Sequence, residues 1–343
     1  MACNGERREL YFFIVLTVLS LYLALADGEK IGVCYGTNSN SMPPEDQAVN
    51  LLKSNNIGKA RLYEANHKVL EALKGSGIEV IVGVDNMEDL KNVASSQAAA
   101  NGWVKDNVQA FYPSTNIKYI AVGNEVLAPE NAQYVPFLVQ AMNNIRTALK
   151  SANLQNIKVS TPHAFSVLSN SYPPSKGTFG SDMKTILKFL SDNGSPFMAH
   201  VYPYFSYKDN RQISADYALF RSTSPVVNDG GRMYNNLFDA MVDALISAME
   251  NQGYPNIPIV ITESGWPSAG SDVATLDNAQ TYNNNLIKHV LSPNGTPKRP
   301  GNTIETYIFA LFNENLKGGA EDEKHFGLFE TNLQAVYPVG FSG

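Results

Sequence analysis

Short apolar runs alternate with longer amphipathic stretches from Ile31 onward. Within each run, apolar side chains occupy successive positions, which is typical of strands covered on both faces. Polar or glycine residues bound the runs. The eight runs are residues 31–34, 60–63, 79–84, 117–122, 157–161, 197–202, 257–262 and 306–312.

Between these runs, apolar positions recur every three to four residues, which predicts amphipathic helices. Leu237, Met241 and Leu245 show this spacing in the clearest segment. The predicted helices cover residues 47–53, 67–73, 98–108, 134–151, 182–190, 234–249 and 280–291.

The alternation of strand and helix predicts an α/β protein with a parallel sheet. Eight alternations over about 315 residues give about 40 residues per unit, which suits a single (β/α)8 TIM barrel. An open, doubly wound sheet is the alternative, but it normally carries a glycine-rich turn after its first strand. Residues 32–36 lack that spacing, and no linker divides the chain. We therefore predict one barrel domain, residues 27–343.

A long irregular insertion, residues 205–232, follows the sixth predicted strand. Loops of this length in compact domains are usually functional or packed on themselves. We predict a small subdomain that lines one wall of a cleft. Its aromatic residues are expected to be divided between its own core and the substrate, and the alternative is that all four are buried: Phe205, Tyr207, Tyr217 and Phe220.

The first 26 residues have the pattern of a signal peptide. Two arginines precede an apolar run, residues 10–26, which ends in the small-x-small sequence Ala24-Leu25-Ala26. A membrane anchor is the alternative, but the run is short and contains two hydroxyl residues. We expect cleavage after Ala26, export, and no membrane association of the mature chain.

Composition argues against a nucleic-acid-binding protein. The 343 residues are 44% hydrophobic and 17% charged, with a formal net charge of −6. Because a negatively charged chain repels phosphate groups, a nucleic-acid partner is not expected. Of the two cysteines, Cys3 leaves with the signal, and Cys34 lies in the first apolar run. An exported chain with one thiol forms no internal disulfide. We expect Cys34 to be buried and inert.

Two acidic residues follow buried runs at the point where each run ends. Asn124 and Glu125 come after residues 117–122, and Glu263 comes directly after residues 257–262. Barrel enzymes place their chemistry at the carboxyl ends of the strands, and glycosidic bond cleavage requires two facing carboxyl groups. A single acid at such a place is more often a helix-cap neighbour or a solvated charge. The pair favours a glycoside hydrolase.

Four segments carry a resemblance to a known family. They are IGVCYG at 31–36, AVGNEV at 121–126, VITESGWPS at 260–268 and FNEN at 312–315. In this order they resemble the plant β-1,3-glucanases of glycoside hydrolase family 17, from about Ile31 to Phe341. The order and number of the segments make the resemblance more specific than any single motif.

The resemblance implies a retaining mechanism with two catalytic carboxyl groups. Glu125 is then the proton donor and Glu263 the nucleophile, while Asn124 hydrogen-bonds the sugar 2-hydroxyl. After the last strand, the resemblance implies substrate-binding roles for three more residues, and Glu314 could compete with Glu125 as proton donor. These three residues are Glu314, Lys317 and Glu323.

Aromatic residues also follow the predicted strands. Tyr202, at the end of the sixth strand, is placed to orient Glu263, although it could instead be a core residue with a satisfied hydroxyl. Tyr35 and Tyr63 reach the same rim and are expected to contact sugar. Trp266 either offers a stacking face to the substrate or packs against the rim.

Other kinds of site lack support in the sequence. The five histidines share no ligand spacing, and neither a Cys-x-x-Cys nor a Gly-x-Ser-x-Gly motif occurs. We therefore expect no metal and no cofactor. Two sequons, at Asn193 and Asn294, lie in polar turns, and Pro297 should lower the use of the second.

The sequence as a whole predicts a secreted, monomeric, retaining endo-β-1,3-glucanase. Its expected substrates are callose, laminarin and fungal wall glucan. The resemblance carries the endo mode and a role in plant defence, and the chain ending at Gly343 favours the apoplast or cell wall over the vacuole. Two alternatives stay open: a β-1,3-1,4-glucanase with the same acids, and a catalytically silent glucan-binding defence protein.

Overall fold

The computed structural model describes residues 29–85 and 88–342. From Ile31 onward these residues form one compact unit. The predicted signal peptide lies outside the described residues. No described helix combines the length and the apolarity needed to span a bilayer.

Parallel strands form the centre of this unit, as the sequence predicts. Hydrogen bonding follows the order β5-β4-β3-β2-β1-β8-β7-β6-β5, so the sheet closes on itself and the (β/α)8 barrel is confirmed. Closure depends on β5, whose two segments flank Thr161 and pair with β4 and β6 respectively. The strands are β1 Gly32–Cys34, β2 Lys59–Leu62, β3 Glu79–Val84, β4 Asn116–Val122, β5 Lys158–Ser160 with Pro162–His163, β6 Phe197–His200, β7 Ile259–Ser264 and β8 Thr306–Ile308.

Helices follow most strands and cover the outside of the sheet. They are α1 Glu45–Ser54, α2 His67–Ala72, α3 Glu88–Ser95, α4 Gln97–Val104, α5 Val135–Ser151, α6 Lys184–Asn193, α7 Pro203–Asp209, α8 Ala215–Ala218, α9 Leu237–Asn251 and α10 Leu276–Leu291. A π-helical turn, Lys105–Gln109, continues α4. Short 3-10 turns occupy Pro129–Tyr134, Phe165–Val167, Pro174–Lys176 and Glu321–Lys324.

Local sequence explains where the long helices begin. The side chain of Asn236 accepts a hydrogen bond from the backbone N–H of Asp239 and so caps α9. Thr275 caps α10 by accepting from the N–H of Asn278. The two helices then bury their apolar faces against the barrel, which fixes the loops that follow β6 and β7.

The structure differs from the predicted elements at helix α3 and at the last strand. Helix α3 has no counterpart among the predicted helices, because only Leu90 and Val93 mark its buried face. The last strand ends at Ile308 rather than at residue 312. Beyond it, the N–H groups of Phe309 and Leu311 still bond to the carbonyls of Ser264 and Cys34 in the neighbouring strands, whereas the N–H of Ala310 bonds to the carbonyl of Phe326, so regular strand pairing is interrupted there.

The insertion after β6 is a small subdomain built from α7, α8 and a two-stranded ribbon, Val227–Asp229 with Arg232–Tyr234. Tyr217 packs with Tyr234 in its own small core. Phe220 packs against Phe238 of α9, with ring centroids 5.9 Å apart. Phe205 lines the cleft at the top of the barrel. The aromatic residues are therefore divided between core and cleft.

Candidate active site

An open cleft of about 960 Å³ lies at the carboxyl ends of the strands. Both predicted catalytic acids line it, together with all seven residues predicted to bind substrate. They are Glu125 and Glu263, with Tyr35, Tyr63, Asn124, Tyr202, Glu314, Lys317 and Glu323. These residues come from six barrel strands and the loops after them, so the closed sheet brings together side chains far apart in the sequence.

Glu263 is held by donors on both carboxylate oxygens. Arg61 Nη1 and the hydroxyl of Tyr63 donate to Oε1, at 2.8 and 2.7 Å. The hydroxyl of Tyr202 donates to Oε2 at 2.8 Å. The carboxylate is therefore fixed in position. Tyr63, which is predicted to contact sugar, also uses its hydroxyl to hold Glu263.

The surroundings of Glu263 favour its ionised form. Burial by itself raises the pKa of this carboxyl, but the electrostatic influence of His200 and Arg61 and the hydrogen bonds from Tyr63 and Tyr202 outweigh burial and lower the pKa to about 2. Glu263 is consequently a carboxylate at any pH near neutrality, which is the state that a nucleophile requires.

Arg61 is a functional residue that the sequence analysis did not single out. Its buried guanidinium donates to the carbonyl of Thr262 at 3.0 Å and to Asn124 Oδ1 at 2.5 Å, besides its ion pair with Glu263. A usable signal was present: Arg61 is a charge in the middle of a buried strand, and such a charge needs an acid partner nearby.

Glu125 reaches the cleft from a tight turn after β4. Gly123 and Glu125 both have positive φ, 70° and 51°, so the chain turns sharply as the strand ends. The N–H of Glu125 donates to the carbonyl of Pro162 at 3.0 Å, which ties this turn to β5. The side chain is 30% exposed, compared with 10% for Glu263.

His200 lies between the two acids and was also missed by the sequence analysis. Its Nδ1 is 2.6 Å from Glu125 Oε1, and its Nε2 is 3.4 Å from Glu263 Oε1. The two carboxylates are therefore separated by no more than one imidazole ring and a contact on each side. His200 ends an apolar run, where an interior histidine cannot be told from a site residue by spacing alone.

Glu314 lines the cleft and occupies a gap left by a glycine. Its Oε1 accepts from the N–H of Asn38 at 2.8 Å. A Cβ on Gly36 would lie 2.3 Å from the same oxygen, so only glycine leaves room for the carboxyl group. Burial raises the pKa of Glu314, and the bond from Asn38 and the charge of Lys317 oppose this shift.

Comparison with known proteins assigns the chain to a family. Residues 31–341 match glycosyl hydrolases family 17. The chain belongs to this family. A glucan endo-1,3-beta-glucosidase of Vitis vinifera is 48% identical over 337 residues, covering 96% of this chain and 95% of that protein. A basic vacuolar isoform from Nicotiana tabacum is also 48% identical, over 95% of this chain and 90% of its own length.

The fold of the chain also matches solved structures of plant β-glucanases. A β-1,3-glucanase and allergen of Cryptomeria japonica pollen superposes with a TM-score of 0.89 at 68% identity, over 92% of this chain and 99% of that chain. One of two plant β-glucan endohydrolases with distinct substrate specificities gives a TM-score of 0.85 at 44% identity, over 91% of this chain and 100% of that chain.

In this family 17 chain, Lys317 and Glu323 form an ion pair at the cleft, with Nζ 3.2 Å from Oε2. The ammonium of Lys317 also lies 4.1 Å from the ring centroid of Phe309. Both contacts restrict a side chain that would otherwise be mobile. The acid-lysine-acid set predicted after the last strand is therefore assembled on the cleft floor.

Two residues named from the sequence prove to be packing residues. Trp266 is fully buried, and its Nε1 donates to the carbonyl of Val273 at 2.9 Å, so it packs and offers no stacking face. Cys34 is buried, its Sγ donates to the carbonyl of Thr262, and burial raises the pKa of its thiol to about 12. Among residues 29–85 and 88–342, no group of three potential ligands could hold a metal ion.

Proposed function

We propose that this family 17 chain is a retaining endo-β-1,3-glucanase that uses Glu263 as nucleophile and Glu125 as acid and base. One observation carries the proposal: both carboxyl groups contact the single imidazole of His200 in an open cleft. Names of close relatives support the substrate, because the matched proteins of grapevine and tobacco are glucan endo-1,3-beta-glucosidases.

In the first step, Glu263 attacks the anomeric carbon while Glu125 donates its proton to the glycosidic oxygen. The bond between that carbon and that oxygen breaks, the sugar on the leaving side departs with the proton, and an ester joins Glu263 to the remaining glucan. Arg61 and Tyr202 hold the attacking carboxylate in one orientation. Fixing the nucleophile before the reaction removes part of the entropic cost of the step.

In the second step, the ionised Glu125 takes a proton from water, and the oxygen of that water attacks the anomeric carbon. The ester breaks, Glu263 is released as a carboxylate, and the product keeps the β configuration. Since Glu125 is more exposed than Glu263, water can reach the base without passing the buried nucleophile. Asn124, at the edge of the cleft, is assigned to the sugar 2-hydroxyl.

The remaining sequence predictions extend the proposal. A signal peptide, residues 1–26, would direct export to the apoplast or cell wall, where callose and fungal glucans occur, and the mature chain would act as a monomer. The openness of the cleft suits attack on internal linkages of a long chain. The chain needs no metal for this mechanism, because the two carboxyl groups supply both acid and nucleophile.

The experiment compares laminarin with mixed-linkage barley glucan, measuring reducing sugar released by the purified chain and by Glu263→Ala. The proposal predicts release from laminarin, much slower release from the mixed-linkage polymer, and loss of on the order of 10⁴-fold or more in the variant. Faster hydrolysis of the barley glucan would favour the β-1,3-1,4-glucanase reading. Binding of laminarin without any product would instead indicate a silent glucan-binding protein.

A further inference from the structure

Phe165 places an aromatic ring in the cleft without an assigned purpose. The residue is half-buried and lines the cleft on the loop that follows β5. Its side chain has no polar atom and therefore cannot serve the proton transfers. An apolar ring that remains partly exposed within a substrate-sized cleft is a candidate for contact with substrate.

The segment that carries Phe165 is fixed at both ends. On one side, His163 is buried and stacks on Phe197, with ring centroids 4.9 Å apart. On the other side, Val167 is buried, and its carbonyl accepts from the N–H of Gly180 at 2.8 Å. The ring is thus presented by an ordered turn rather than by a free loop.

The position of Phe165 relative to the two acids indicates which sugar it meets. The carbonyl of Pro162, three residues earlier, holds the N–H of Glu125. Glu263 is held from another side of the cleft, by Arg61 and Tyr63 of the β2 region. A proton donor must reach the glycosidic oxygen, so the sugar that departs with this oxygen lies on the donor's side.

The chemistry of a β-linked glucosyl unit suits such a ring. Its hydroxyl groups are equatorial, so both faces of the sugar ring expose axial C–H groups that are apolar, while the polar groups point outward around the edge. A flat aromatic side chain buries one of these faces without removing the hydroxyls from water. Phenylalanine is therefore matched to a glucosyl unit in a way that an aliphatic side chain of similar volume is not.

We propose that Phe165 packs against the glucosyl unit on the leaving-group side of the scissile bond and contributes to substrate choice there. This inference rests on the proposed glucanase function. It assigns to the β5 loop a binding role separate from the residues that hold Glu263. The consequence is that Phe165 acts only on substrates that place a sugar beyond the bond to be broken.

The test measures kcat/KM on two substrates, laminaripentaose and β-laminaribiosyl fluoride. Fluoride is a small leaving group, so the second substrate places no sugar next to Phe165 during bond cleavage. For Phe165→Ala, the fall on laminaripentaose should exceed the fall on the fluoride by about tenfold. Phe165→Tyr should retain the activity on laminaripentaose, and Phe165→Leu should lie between the two.

Tyr172→Ala is the matched control, since Tyr172 is a 70% exposed aromatic residue on the same loop and does not line the cleft. Equal falls on both substrates in Phe165→Ala would mean that the ring only supports the fold, and this would overturn the inference. No fall on either substrate would overturn it too. If the unaltered chain cleaves neither substrate, the proposed function itself fails, and this outcome is distinct from both.

Discussion

The surroundings of Glu263 and Glu125 in the cleft differ. Glu263 receives hydrogen bonds from Arg61, Tyr63 and Tyr202, and its side chain is 10% exposed. The side chain of Glu125 is 30% exposed, and its carboxylate lies against the imidazole of His200. Glu263 is immobilised and kept ionised, whereas Glu125 stays accessible to solvent, as the proposed role of acid and base requires.

A third carboxyl group shows that burial alone does not produce this result. Asp243 on α9 is buried, and its partners are the hydroxyl of Tyr234 and the N–H of Lys298. Here burial is the largest influence, and it raises the pKa to about 6 in spite of these hydrogen bonds. Burial is also the largest single influence on Glu263, but there the electrostatic influence of His200 and Arg61, together with the hydrogen bonds from Tyr63 and Tyr202, reverses the direction of the pKa shift. In both cases the groups around the buried carboxyl decide whether its pKa rises or falls, because burial weakens the competition from water.

Among variants that keep Glu263, the largest expected effect on activity comes from removing Glu125, the more exposed acid. Glu125→Ala should lower kcat/KM on laminarin by about 10²- to 10⁴-fold, because the sugar leaving group then departs without a proton. With β-laminaribiosyl fluoride the loss in the first step should be much smaller, since fluoride needs less assistance. The measurement is steady-state kinetics on both substrates.

Added azide separates the roles of the two acids. In Glu125→Ala, azide should attack the glycosyl-enzyme ester and yield a β-glycosyl azide, since this anion needs no general base. In Glu263→Ala, azide should fill the space of the missing carboxylate and yield an α-glycosyl azide. Product analysis by NMR distinguishes the two anomers. The opposite pattern would exchange the roles of Glu125 and Glu263.

An intermediate effect is expected when the cation beside Glu263 is removed. Arg61→Met should lower kcat by about 10²-fold, because the nucleophile loses both an oriented donor and a compensating charge. The pKa of Glu263 should rise from about 2, so the acid limb of the pH profile of kcat/KM should move to higher pH. Arg211→Met is the control, since Arg211 forms an exposed ion pair with Asp272. An unmoved acid limb in Arg61→Met would contradict the account.

Glu263 also makes a testable contribution to stability. Its pKa is lowered from 4.5 to about 2, so its stabilising effect is complete above pH 4.5 and is lost as the pH falls toward 2. Glu263→Gln removes this contribution. The difference in unfolding free energy between the unaltered chain and the variant should therefore shrink across that window, as chemical denaturation at several pH values would show.

Asp243→Asn is expected to have the smallest effect on activity. Its effect on stability should depend on pH in the opposite direction to the contribution of Glu263. The raised pKa of Asp243 means that stability present below pH 3.8 is lost as the pH rises through 6. Both observed hydrogen bonds end on Oδ2, so an asparagine oxygen can accept them without a charge. The variant should gain about 1 to 3 kcal/mol at pH 7 and little at pH 4.

Asp192→Asn is the control for this prediction, because Asp192 is exposed and pairs with Lys188 on the surface. Denaturant titrations at the two pH values measure both variants. A loss of stability in Asp243→Asn at pH 7 would show that the charge at this position is favourable after all. The opposite pKa shifts of Asp243 and Glu263 could then not be explained by the presence of Arg61 beside Glu263 alone.

The barrel could be predicted from the sequence because its strands are buried on both faces and read as continuous apolar runs. Glu263 stood out because it directly follows such a run, and Glu125 because it comes three residues after the end of another. Arg61 and His200 were missed for the same reason, since they lie within runs whose apolar character hid them. Their partners come from other strands, and only the closed sheet shows those pairings.

Loops were predicted less well than strands. Phe165 lies in a single turn whose direction depends on the packing of His163 and Val167 beneath it, and spacing along the chain carries no trace of this. Tyr63 lines the cleft, as expected, but the sequence did not show that its hydroxyl donates to Glu263. The sequence indicates which strand end a side chain occupies, whereas its hydrogen-bond partner depends on distances across the barrel mouth.

The most direct test of the account is to trap the covalent intermediate with 2-deoxy-2-fluoro-β-laminaribiosyl fluoride. The fluorine at C2 slows both steps, while the fluoride leaving group keeps the first step fast enough for the ester to accumulate. Intact mass spectrometry followed by peptide mapping should find one fluorinated laminaribiosyl group per chain, attached to Glu263. A label on Glu125 or Glu314, or turnover of laminarin by a chain that never accumulates the ester, would contradict the central claim.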